Sequence, residues 1–137
     1  MLEANKTITL FNKYRDYDKN ERWLKTVICG VSWFFSKSII VSKEGKTERE
    51  VCTIRIPNSA KSEGKVYIDS KSFAKGKREK HWTVSGGDKI VLGNAISAPL
   101  DENLPTFLEK NYSNVVTALT VSDNRGKILP HIKIGTV

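Results

Sequence analysis

Apolar and polar residues alternate along most of this chain, with a period of two rather than the 3.6 of a helix. In "KTITLF", Ile8 and Leu10 share one face while Thr7, Thr9 and Phe11 share the other. In "CTIRIP", Ile54 and Ile56 point one way and Thr53 and Arg55 the other. "VVTALTVSD" reads with Val115, Leu119 and Val121 on one face and Thr117 among them, and "HIKIG" sets Ile132 beside Ile134. Successive side chains of a strand point to opposite sides of a sheet, so this pattern predicts strands laid against a core. "LKTVI", "VSWFF", "KVYID" and "WTV" followed by "KIVLG" extend the series to about eight or nine short strands. Clusters of Gly, Pro, Asn and Ser separate them. The prediction is a mainly β fold, a small antiparallel β-barrel or sandwich with long loops and one or two short helices.

Helical signals are few. "LPTFLEKNY" fits a short helix with Asn103 as cap and Pro105 in the first turn, where a missing N–H is harmless. Phe107, Leu108 and Tyr112 would then face the sheet. A further helical turn is expected in "SKSFAKGK", started by Asp69 or Ser70. "SKEGKTERE", "PNSAKSEGK" and "NAISAPLDENLP" read as long loops, and loops of that length in a small domain are mobile or placed to touch something.

The 137 residues suit one domain spanning 1–137. No run of residues is long and apolar enough for a membrane helix, and "MLEANKTITLF" lacks the pattern of a secretory signal. The expectation is a soluble cytoplasmic protein with no membrane partner. Cys29 and Cys52 could form a disulfide between neighbouring strands, but two reduced, buried thiols are the preferred reading.

Net charge is +8. The excess concentrates between Lys61 and Lys80, where Lys61, Lys65, Lys71, Lys75, Lys77, Arg78 and Lys80 face only Glu63, Asp69 and Glu79. This points to a surface for nucleic acid or an acidic protein, or to a solvated lysine-rich loop.

Candidate chemistry is sparse. Nucleophilic catalysis needs a base beside the nucleophile, and neither His81 nor His131 has a Ser or Cys in an elbow motif next to it. No His or Cys spacing suggests a metal site. The pairs Asp101–Glu102 and Asp16 with Asp18 lie in polar loops rather than in apolar pockets that would raise a pKa. Gly86-Gly87-Asp88 could cradle a phosphate, but such loops run into a helix, and here the strand "KIVLG" follows. It reads as a structural turn between strands, with Asp88 bonding nearby backbone. Asp123-Asn124-Arg125-Gly126 reads as a hairpin turn. No catalytic, cofactor or metal site is expected, and no enzyme activity.

The succession "TITLFNKY", "WLKTVICGVSWF", "TIRIP", "VYID", "HWTVSGGDKIVLG", "VVTALTVSDNRG" and "PHIKIG" resembles the small minor capsid or head–tail connector proteins of tailed phages and prophages of Gram-positive bacteria. The likeness runs from about Lys6 to Gly135. Two departures stand out. The final "PH" of those proteins is usually followed closely by tryptophan, where this chain has Ile132, and the stretch from Pro57 to Tyr67 is longer and richer in lysine.

The resemblance implies a virion protein of the phage neck, similar to head-completion or stopper proteins and made in the host cytoplasm. Such proteins form an oligomeric ring under the portal, with a barrel body and loops directed to the channel, portal and tail. Implied partners are copies of itself, a portal or adaptor protein, a tail or tail-completion protein, and the packaged double-stranded DNA. On this basis Lys37, Lys43, Lys46 and the loop Lys61 to Lys65 are assigned to lumen or neighbour contacts. Trp23, Trp33 and Trp82 are read as core or interface anchors. The competing expectation is a small basic nucleic-acid-binding barrel of OB-like type, although "WFF" at Trp33 to Phe35 lies outside the lysine cluster.

Overall fold

A computed structural model describes residues 4–76, 80–95, 97–126 and 128–136, with the side chains at 36–40, 42 and 47–50 outside the description. Eight strands and two short helices follow in the order β1 Lys6–Arg15, β2 Glu21–Ser42, β3 Gly45–Pro57, β4 Val66–Tyr67, α1 Ser70–Ala74, β5 His81–Trp82, β6 Lys89–Leu92, α2 Leu104–Asn111, β7 Val115–Asp123 and β8 His131–Thr136. Six strands close into a barrel in the order β1-β2-β3-β8-β7-β6, each neighbouring pair antiparallel. Pairing of β6 with β1 makes this a barrel and not a sandwich.

The alternation seen in the sequence fills the interior. Ile8 and Leu10 of β1, Ile54 and Ile56 of β3, and Ile132 and Ile134 of β8 all point into one buried cluster. Each such side chain contributes about 1.5–3 kcal/mol relative to leaving it in water.

One strand serves two sides of the barrel. "LKTVI" and "VSWFF" are a single strand of 22 residues, bent where Gly30 has no partner in β1, between Thr7↔Cys29 and Lys6↔Val31. Gly30 sits at φ +87, a conformation that glycine adopts without penalty. Before the bulge β2 pairs with β1, and after it with β3. Cys29 follows the buried Thr26 and Ile28 and lies on the outer face, so this thiol is free and exposed rather than buried, while Cys52 is free and buried.

"SKEGKTERE" is not a loop. β2 continues to Ser42 and β3 starts at Gly45, leaving a tight turn at Lys43 and Glu44. β3 pairs with β8 only from Thr53 to Pro57. Among the described residues, the stretches 36–42 and 46–51 therefore pair with no other strand than each other, as a two-stranded ribbon that extends the barrel.

β7 presents the opposite face from that expected. Val116 and Ala118 enter the core, Val115 packs in an outer layer and Leu119 is exposed. Alternation from Val116 is the better fit because a register shift between Ala118 and Thr120 interrupts the period, after which Val121 packs against the core.

The outer layer explains why both faces of β1 are buried. α2 and the segment before it lie over the outside of the barrel, where Leu104, Leu108 and Ala95 meet Phe11, Trp23 and Val91. Beneath this layer Thr9 donates to the Gly93 carbonyl at 2.7 Å and accepts from the Ala95 N–H at 2.9 Å. Asn103 precedes α2 without a side-chain cap bond, and Asp101 instead accepts the Asn103 N–H at 2.9 Å. α1 starts as expected, with Asp69 accepting the Ser72 N–H.

Candidate functional site

The Gly86-Gly87-Asp88 segment joins β5 to β6 as a turn, with the Asp88 N–H donating to the Ser85 carbonyl and Gly87 at φ +96. Asp88 reaches further than its own turn. It is buried, and its carboxylate accepts from the Ser85 N–H at 2.9 Å, Asn12 Nδ2 at 2.8 Å and the Lys13 N–H at 3.1 Å. Burial pushes its pKa above the ordinary carboxylate range, against the downward pull of these donors. The donors saturate the carboxylate and tie the turn to β1, so it serves as an internal clamp and presents no anion cradle.

The candidate lysines fall into separate regions. Lys43 and Lys46 are exposed at the tip of the ribbon, and Lys37 lies within it, its side chain outside the described residues. Lys61 is exposed, and its backbone forms a bridge with Cys29. Lys65 turns inward, its Nζ donating to the Lys25 carbonyl and to Thr26 Oγ1, both at 2.9 Å. Lys77, Arg78 and Glu79 of the basic segment lie outside the described residues.

The excursion from Asn58 to Ser85 folds back under the barrel where β3 ends and β8 begins. It inserts Trp82 and Val84 into the core and frames a cavity of about 350 Å³. Ile28, Ile56 and Ile132 form its apolar floor, and Lys65, Tyr67, Trp82 and Arg125 its polar and aromatic rim. Tyr67 and Trp82 meet edge to face, with ring centroids 5.1 Å apart. The Arg125 guanidinium lies 4.7 Å from the Tyr67 ring centre and is held by Asp123 through bonds of 2.8 and 2.7 Å. Asp123 raises the pKa of Arg125, while burial first and the Asp123 charge second raise that of Tyr67.

Lys65 and Trp82, singled out separately in the sequence, thus meet at one cavity. Tyr67 and Arg125 were not singled out, because nothing in the sequence joins a residue of β4 to a turn between β7 and β8. With Glu63 at 3.8 Å from Lys65 and Asp123 on Arg125, the rim carries matched charges. It suits a neutral or amphipathic group better than a phosphate.

Trp23 is buried in the outer layer, Trp82 in the barrel core, and Trp33 packs half-buried against that core. His131 is held in the β7–β8 turn, with Nδ1 2.7 Å from the Leu129 carbonyl and Nε2 3.4 Å from Asn124 Nδ2. His81 lies in β5. Among the described residues no three His, Cys, Asp or Glu side chains gather as a metal site, and no helix is long and apolar enough to cross a membrane.

The chain belongs to a protein family of unknown function, DUF6751, which matches it over residues 3–137. No curated protein and no solved structure matches it.

Proposed function

We propose that this protein is a structural subunit of the neck of a tailed phage particle. In this role it forms a ring at the head–tail joint that helps close the portal channel, retain DNA and dock the tail. The sequence resemblance leads to this reading. The observation that carries it in three dimensions is the combination of a closed barrel with a long ribbon that pairs with no other strand among the described residues. A closed barrel uses up its strand edges and gives a rigid body, while a ribbon with bare edges suits contact between subunits. The exposure of Lys43 and Lys46 at the ribbon tip supports a role near DNA, since a lumen lined by DNA tolerates lysines where it does not tolerate carboxylates.

Deleting the gene from the phage or prophage that encodes it, followed by electron microscopy of the lysate, tests the proposal. Free tails beside heads that have lost their DNA are the expected result. Filled, tailed particles would refute it. Reversing Lys43 and Lys46 to glutamate should lower DNA retention while heads still assemble, and unchanged retention removes these lysines from the lumen.

A second function, binding single-stranded nucleic acid, is favoured by the gathering of Tyr67, Trp82, Arg125 and Lys65 at one cavity. Stacked aromatics among cations are the usual platform for bases. The pairing of Arg125 with Asp123 and of Lys65 with Glu63 weighs against it. Salt-dependent binding of a labelled oligonucleotide, lost in Arg125→Ala, would move this function to the front.

A further inference from the structure

β2 has two stretches whose outer edges no barrel strand covers, and the molecule treats them differently. Along the first half, loops take over the edge. The Trp23 N–H donates to the Leu100 carbonyl, Cys29 and Lys61 exchange backbone bonds, and Lys65 Nζ donates to the Lys25 carbonyl. Along the second half, beyond the Lys6↔Val31 pair where β1 stops, no such cover is present among the described residues. Seven residue pairs, from Ser36↔Val51 to Ser42↔Gly45, form a ribbon roughly 20 Å long, and among the described residues no other strand pairs with the outer edges at 36–42 and 46–51.

The two edges differ in sequence. From Trp33 to Ser42 β2 carries six large apolar residues, no Pro or Gly, and a single charge at Lys37. The facing strand carries Lys46, Glu48, Arg49 and Glu50 within six positions. A long apolar edge strand with few charges is a template for another chain. Phe34, Phe35 and Val41 are exposed along the same strand.

We infer that the bare β2 edge of the ribbon pairs with the β3 edge of the next copy of this chain, joining the ribbons into a continuous inter-subunit sheet. Direction selects this partner. In a ring all ribbons point the same way, so β2 of one copy meets β3 of the next antiparallel, the favoured pairing. Pairing β2 with β2 antiparallel would need a twofold axis and would end at a dimer.

The direction of pairing rests on the ring proposed above, whereas self-association through this edge is a property of the isolated chain. Sedimentation velocity and amide hydrogen exchange on the purified protein therefore test it apart from the lysate experiment. The expected result is concentration-dependent association beyond a dimer, with the edge-facing amides of 36–42 and 46–51 slowed only when associated. Ile40→Lys, and independently Ser38→Lys, should abolish association and leave the thermal midpoint of the barrel unchanged. Ile128→Lys, at an exposed apolar residue far from the ribbon in sequence, should associate like the parent. A parent protein that stays monomeric at every concentration, or stops at a dimer, overturns the inference. So does association that survives both ribbon substitutions. A neck role disproved by microscopy would leave an observed edge pairing standing, and the reverse also holds.

Discussion

Replacing Asp88 tests the claim that the Gly-Gly-Asp turn is a clamp and not a binding loop. In Asp88→Ala the N–H groups of Ser85 and Lys13 lose their acceptor, and Asn12 Nδ2 keeps only the Thr83 carbonyl. Asp88 is 1% exposed, so water does not readily replace the lost partner. An orphaned buried donor costs about 1–3 kcal/mol, and regained solvation of a charge that resisted burial offsets part of the total. A loss of about 3 kcal/mol at neutral pH follows. At about 2.1 cal/mol/K per residue of unfolding entropy, this lowers Tm by roughly 10 °C for a chain of 137 residues. Thermal and urea unfolding followed by tryptophan fluorescence measure it.

Acid adds a second signature. Because burial holds the pKa of Asp88 above its unfolded value, its proton-linked stabilisation is fully present below the unfolded pKa and is lost as pH rises through the folded pKa. The stability difference between the parent and Asp88→Asn should be widest in acid and narrow towards neutrality. An Asp88→Ala loss below about 1 kcal/mol would refute the clamp, whereas a difference that widens as pH rises would show its hydrogen bonds outweighing burial.

Three further outcomes follow from the packing. Leu108→Ala empties a fully buried site between α2 and the barrel and should cost about 2–4 kcal/mol in urea unfolding, with the strand signal in far-ultraviolet circular dichroism retained. Gly30→Val forces a β-branched residue to φ +87 and should destabilise by about 2 kcal/mol, although only ordinary contacts at 3.8 Å surround the site. A thiol reagent should label Cys29 quickly in the native protein and Cys52 only on unfolding, since Cys52 is buried and its pKa is pushed up to about 11.

Period-two patterning made the barrel legible, because six strands each had to bury one face. Ile8, Leu10, Ile54, Ile56, Ile132 and Ile134 all lie where the alternation put them. The pattern failed where one residue was inserted or one layer added. A bulge at Gly30 made one strand look like two. In β7 the inward phase starts at Val116 and not Val115, and the shift after Ala118 changes it so that Val121 also packs against the core. The α2 layer buried Phe11 and Thr9, which alternation alone assigns to solvent. The ribbon was hidden because its charged second strand carries no apolar period and reads as loop. At the cavity, Lys65 and Trp82 were visible as residue types, but their meeting with Tyr67 and Arg125 depends on how the excursion folds back.

The neck assignment is tested most directly by locating the protein on intact particles. Immunogold labelling of purified virions with antibody raised against this chain should place gold at the junction of head and tail. Particles free of the protein, or gold confined to the capsid shell or the tail tip, would contradict it.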